Sequence, residues 1–296
     1  MQVGLLDYNG AYFAKPNQRT IDMTEQPQTS MHGYDIYELV GRGAHSQIYR
    51  AIHAKSGTVV ALKVLQPQLA EQEEFILRYE GEVESIKKLG KNKHIIKLYD
   101  YWRSEKGAFM VLQWLGGGDL ETDLAANGVY RLQDAVKLFI KIGSALAAAH
   151  QIGIIHRDIK PSNIMFDEQQ TPYLTDFGIA KRSDADITVP GTLLGSPAYL
   201  APEQLLNKPI SPATDVYSLA VNLYETLVGT TPYHNMPMTK AMMLKIREPL
   251  PSILEARPDL PPALAKVIIR STAVQASERY DTVEAFLKAL KKAVGA

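Results

Sequence analysis

His156-Arg157-Asp158-Ile159-Lys160-Pro161-Ser162-Asn163, followed after a short apolar segment by Asp176-Phe177-Gly178, is the stretch on which the reading of this chain turns. Between Asp158 and Asn163 it packs a carboxylate, an ammonium and an amide, and a second carboxylate follows on a turn closed by glycine. Such a set can hold a magnesium triphosphate beside a hydroxyl. Asp158 would accept the hydroxyl proton, and Lys160 would neutralise charge on the moving phosphoryl group. Asn163 and Asp176 would offer oxygen to Mg²⁺, as a hard cation requires.

At these residues the chain resembles the protein kinase family, whose catalytic loop reads H-R-D-x-x-x-x-N and whose metal loop reads D-F-G. Either fragment alone is a weak signal; both together, in order, are specific. The resemblance implies a two-lobed α+β fold: a small antiparallel β-sheet lobe, residues 33–115, and a mostly helical lobe, residues 116–296, with ATP between them. Lys160, two residues after Asp158, is in this family the mark of serine/threonine rather than tyrosine specificity. The implied reaction is transfer of the γ-phosphoryl group of Mg²⁺·ATP to Ser/Thr hydroxyls of protein substrates.

Upstream, Leu132 to His150 reads as an amphipathic helix leading into the loop, and Ile164-Met165-Phe166 as a short strand after it. Val40 leads into Gly41-Arg42-Gly43, a strand-to-strand turn where backbone N–H groups can approach phosphate without a Cβ in the way. The family's third glycine is Ser46 here, and its valine is Ile48. Thr58 to Leu65 alternates as a strand, which puts Ala61 and Lys63 on one face and Val60, Leu62 and Val64 on the other. By resemblance, Val60-Ala61-Leu62-Lys63 supplies the lysine for the α- and β-phosphates. Its partner would be Glu82, on a helix from Glu71 to Leu89, preferred over Glu80 and Glu84. Gly81 costs this helix about 1 kcal/mol against alanine, which predicts a soft element. The resemblance further implies Leu112 as gatekeeper, backbone contacts from Gln113 and Leu115 to adenine, Asp119 near the ribose, and Met165 beneath the ring opposite Ala61 and Ile48.

Asp176 to Glu203 has the length of an activation segment and closes with Ala201-Pro202-Glu203, the family's A-P-E. Arg157 is a cation that calls for an anion. A phosphothreonine at Thr188 or Thr192, the latter preferred, would supply it. Ser196 falls where the family has a substrate-facing Thr. Asp215 matches the residue that anchors the catalytic loop, and Arg279 the partner of Glu203.

The composition agrees with a globular chain: of 296 residues, 46 % are hydrophobic and 22 % charged. Lys+Arg and Asp+Glu both number 32, so no global field exists to capture nucleic acid. Cysteine is absent, which excludes disulfides and thiolate metal sites and fits a cytoplasmic setting. No apolar run reaches the ~18 residues of a membrane span. Residues 1–32 stand outside the kinase pattern. There, Asn9-Gly10 signals a two-residue hairpin and the chain to Ser30 reads as linker; the hairpin, where it forms, would lean on the lobes or on a partner, and the composition fits a disordered tail equally well.

Overall fold

Period-two alternation of apolar side chains makes a curled sheet of the first third of the chain. The computed structural model describes residues 12–13, 26–43, 46–65, 73–90, 92–177 and 197–295. The strands are β1 Tyr12–Phe13, β2 Thr29–Met31, β3 Tyr34–Arg42, β4 Ser46–His53, β5 Val59–Leu65, β6 Leu98–Ser104 and β7 Gly107–Gln113. They pair antiparallel in the order β1-β3-β4-β5-β7-β6, with β2 also on β3. Register separates the faces. Val60, Leu62, Phe109 and Val111 join Tyr34 and Ile36 in an outer cluster. Ala61 lies opposite Leu112, and Lys63 opposite both Ile48 and Met110, on the inner face.

Helix α1, Glu73–Leu89, covers that inner face with Tyr79, Val83, Ile86 and Leu89, all buried and spaced at helical intervals. The linker after β7 carries consecutive glycines for a steric reason. A Cβ at Gly117 would collide with the carbonyl oxygen of Asp167, while the Gly117 N–H donates to Phe166 O at 2.9 Å. The linker is therefore docked on β8, Ile164–Phe166, which pairs with β9, Pro172–Leu174.

The second lobe is helical: α2 Leu120–Asn127, α3 Leu132–Gln151, α4 Pro202–Leu205, α5 Pro212–Val228, α6 Met238–Lys245, α7 Ile253–Ala256, α8 Pro262–Ser271 and α9 Val283–Val294. Buried on nearly every side, α5 is the central post, and Gly229 stops it in the left-handed conformation at φ 88°. One apolar core runs without a break from Tyr79 and Ile86 of the sheet lobe through Phe177 to Leu219 and Leu290. The two lobes thus share an interior.

The chain to Ser30, read as linker, ends in strand: β2 forms a hairpin with β3. At its turn the His32 ring stacks on Trp102 at 4.4 Å, and Trp102 stacks in turn on Phe109. Tyr12 and Phe13 pair with Arg42 and Gly41. The Asn9-Gly10 turn lies outside the described residues. Among the described residues, no helix is long and apolar enough to cross a membrane.

Candidate active site

A buried carboxylate at the head of α5 shapes the loop that follows α3. Asp215 accepts the backbone N–H groups of His156 and Arg157, each at 2.8 Å, and meets Nε2 of His150 at 2.8 Å. Two successive amides captured this way hold Arg157 in the left-handed region, φ 69°, which a non-glycine residue adopts only when its surroundings impose it. Other elements grip the same loop. Asn222 of α5 donates to Ile159 O at 3.0 Å, and Gln204 of α4 donates to Arg157 O at 2.8 Å. The buried His156 reaches Thr175 O at 2.9 Å, and its ring lies 4.9 Å from that of Phe177.

On this frame Asp158 and Lys160 sit side by side, with Nζ 3.3 Å from Oδ2. Asn163 donates its amide to Asp158 O at 2.7 Å and reaches Oδ2 at 3.3 Å. The amide nitrogen being committed, Asn163 keeps its oxygen for a cation. Across the cleft, Lys63 of β5 bridges two carboxylates, Glu82 of α1 and Asp176, at 2.7 Å each. Asp176 is left-handed at φ 53° and its side chain is 43 % exposed. Two hard oxygen donors, Asn163 and Asp176, beside an ammonium fit Mg²⁺ held together with phosphate.

The electrostatics follow from these contacts. Burial would push the Lys63 ammonium down, but Asp176 and Glu82 together hold it above its ordinary value. Glu82 is pushed up by burial, against the pull of Lys63 and with the help of Asp176. Asp176 stays below the usual carboxylate range: burial opposes this, but Lys63 and then Lys160 outweigh it. The lysine and Asp176 are charged in this state, and Glu82 is the member of the trio most easily protonated.

The other residues singled out from the sequence fall around this centre. Val40 and Gly41 lie at the end of β3, and the Gly43 N–H donates to Ser46 O at 2.8 Å, closing the turn into β4. Ile48, Leu112, Leu115 and Met165 are buried, and Ala61 packs against the shared core. Gln113 ends β7, its N–H donating to Lys97 O. Asp119 accepts from the backbone and hydroxyl of Thr122 and so caps α2; burial raises its carboxyl. Glu203 and Arg279 form a buried two-pronged pair at 2.7 and 2.8 Å. Thr188, Thr192, Ser196 and Gly178 lie outside the described residues.

Sequence reasoning overlooked several groups. Tyr79 donates its hydroxyl to Phe109 O at 2.8 Å, with Trp102 O at 3.1 Å. Asn222 stood out as an amide within the apolar run Val221 to Tyr224, and that was a usable signal. Gln204 carried none.

Residues 34–290 match the protein kinase domain family. The chain is 35 % identical over 241 residues to the serine/threonine-protein kinase PknA of Mycobacterium tuberculosis, covering 79 % of this chain and 55 % of that protein. It is 33 % identical over 261 residues to PknD of the same organism, covering 88 % and 39 %. It is 31 % identical over 259 residues to a probable kinase, pknA2, of Bifidobacterium longum, covering 86 % and 34 %. The chain thus spans about a third to a half of the length of these relatives. Among solved structures, the kinase domain of Mycobacterium tuberculosis PknI superposes with a TM-score of 0.72 at 25 % identity, covering 92 % of this chain and all of that one. Family match, relatives and fold agree with the loop geometry: this chain belongs to the protein kinase domain family.

Proposed function

We propose that the chain transfers the γ-phosphoryl group of ATP to serine or threonine hydroxyls of protein substrates. The observation that carries the reading is the Lys63 ammonium, shared between Glu82 and Asp176 at 2.7 Å each, across the cleft from Asp158 and Lys160. Gly41 and Gly43 bring backbone N–H groups over the phosphates, beside Ser46. Val40, Ile48, Ala61 and Met165 enclose the adenine, Leu112 lines the back of the pocket, and Gln113 and Leu115 meet the ring edge through their backbones. Asp119 stands near the ribose. Lys63 holds the α- and β-phosphates, kept in position by Glu82. Asp158 orients the acceptor hydroxyl and takes its proton, and Lys160 steadies the charge on the transferred group. Mg²⁺, when bound by Asn163 and Asp176, supplies charge neutralisation on the β- and γ-oxygens.

Around the centre, a phosphothreonine at Thr188 or Thr192 would meet Arg157 and order the activation segment, and residues 1–32 would dock on the sheet lobe or on a partner. A reaction fed by ATP, in a chain without cysteine, is consistent with the cytoplasm.

The test is incubation of the purified chain with Mg²⁺ and γ-labelled ATP beside Asp158→Ala, followed by mapping of the labelled sites. Label should appear on a generic basic protein with the wild type and be absent with the variant, while the variant still binds ATP. A wild type that binds ATP yet labels nothing would be a nucleotide-binding module without turnover.

A further inference from the structure

Helix α6 is built inside out. Met238 and Met243 stand 53 % and 48 % exposed, whereas Lys245 at its last turn is buried, the lysine most withdrawn from water among the described residues. Burying an ammonium costs folding energy unless it is paired or hydrogen-bonded. Lys245 donates through Nζ to Pro197 O at 3.0 Å and to Ala198 O at 2.7 Å, over the face of Tyr217 at 5.2 Å. The next carbonyl, that of Tyr199, accepts from Ser218 at 2.9 Å, and the Tyr199 hydroxyl donates to Glu225 at 2.8 Å. Three consecutive carbonyls are thus gripped from the helical lobe, just before the turn whose Gln204 holds the backbone of Arg157 beside Asp158.

We propose that Lys245 is a positioning residue for the protein acceptor: its ammonium draws the chain at Pro197 and Ala198 onto α5 and α6 and so fixes the surface on which the acceptor segment lies. This rests on the proposed function and on the reading of Asp176 to Glu203 as an activation segment closed by Ala201-Pro202-Glu203. An ammonium serves where an apolar side chain would not, because the groups to be held are carbonyl oxygens, and charge roughly doubles the strength of such hydrogen bonds. Charge at this position is conditional. Burial draws the Lys245 ammonium down to about 7, and among the described residues no carboxylate lies within salt-bridge distance of it. The ionisable groups around it are the Tyr217 phenol, the Arg279 guanidinium on the same ring at 4.9 Å with its partner Glu203, and Tyr233. Glu225, which burial pushes up to about 7, acts on the same platform through Tyr199, so pH dependence has to be read as a ratio that cancels its contribution.

Lys245→Met and wild type should be compared in steady-state transfer to a basic protein acceptor from pH 6 to 9, varying acceptor and ATP in turn. The expected result is an acceptor KM raised roughly tenfold at pH 6 with ATP KM within about twofold, and a variant-to-wild-type ratio that shrinks as pH rises through about 7 and the wild-type ammonium loses its proton. Lys245→Gln, which keeps a neutral donor, should raise the acceptor KM by an intermediate factor at pH 6, with a ratio to wild type that likewise shrinks as pH rises through about 7, and serves alone if the methionine variant does not fold. An unchanged acceptor KM, or acceptor and ATP KM rising together at a pH-independent ratio, would overturn the proposal and leave Lys245 a packing residue. Failure of the kinase reading would look different, since the wild type would then label no acceptor at all.

Discussion

Lys63 has one ammonium and two carboxylate suitors, and that competition sets the chemistry. Glu82 and Asp176 stand at the same 2.7 Å, yet only Asp176 is proposed to hold a metal. Glu82 draws the lysine away from the oxygens that Mg²⁺ needs. Glu82→Gln weakens that pull, because a neutral amide competes poorly with a carboxylate for a cation. Lys63 then settles on Asp176. The expected outcome is a fall in kcat of about tenfold and a Mg²⁺ requirement raised severalfold, read from the half-saturating Mg²⁺ concentration at fixed ATP. A normal Mg²⁺ titration with reduced kcat would mean that Glu82 only places the lysine. The pairing of Lys63 with Glu82 was legible through the resemblance, on the separate motifs that carry the two residues. The capping of α2 by Asp119 was not, because a carboxylate before a helix reads the same whether it faces a ribose or an N–H.

Helix α1 carries Glu82 and is weak where it must be accurate. Gly81 precedes the glutamate, and the Ser85 hydroxyl takes the Gly81 carbonyl at 2.7 Å, a back-bond that tends to bend helices. One turn earlier the buried Tyr79 hydroxyl ties the helix to the carbonyl of Phe109 on β7. That tether opposes the softness. Tyr79→Phe keeps the ring in the core and removes only the hydroxyl, at a cost of about 1 kcal/mol. The expected result is a melting temperature lower by about 2–4 °C and a kcat down about threefold, with the acceptor KM unchanged. A lower melting temperature with an intact kcat would make the hydroxyl a stabiliser of the sheet rather than a guide for Glu82. Helix identity came readily from periodicity, as Leu132 to His150 lies within α3, and the apolar run Ile164 to Phe166, β8, was placed by its position after the loop. The tether was invisible, since the partner of a tyrosine hydroxyl lies on a strand distant in sequence. Lys245 was hidden for a similar reason: at the end of a short helix, a lysine reads as a solvated cap.

The whole molecule is one interior under two lobes, and the N-terminal extension joins it at the far edge of the sheet. Without β2, the first residues of β3 would present unpaired N–H and C=O groups, and an open edge of this kind invites pairing between copies. Among the described residues the attachment has three parts: the pairing of Tyr12 and Phe13 with Arg42 and Gly41, the ladder from Thr29 to Met31 with Ile36 to Tyr34, and the His32 ring on Trp102. Sequence alone missed the ladder, because Pro27 and the run of Thr and Gln before it look like linker and a strand of three residues has too short a pattern to read. Removal of residues 1–32 takes away all three, of which the stacked ring pair and the short β2 ladder are together worth about 2 kcal/mol. A fall of about 4–8 °C in melting temperature should follow, with self-association visible by light scattering. A shorter deletion that begins the chain at Gln28 loses only the two-residue β1 pairing, keeps β2 and His32, and should melt within about 1–2 °C of the intact protein. If the two deletions melt alike, the hairpin contributes nothing and any role of the extension resides in residues 1–27. If the longer deletion instead raises kcat without lowering the melting temperature, the extension restrains catalysis, and the pairing of Tyr12 and Phe13 with Arg42 and Gly41 beside the phosphate turn becomes the place to look for the restraint.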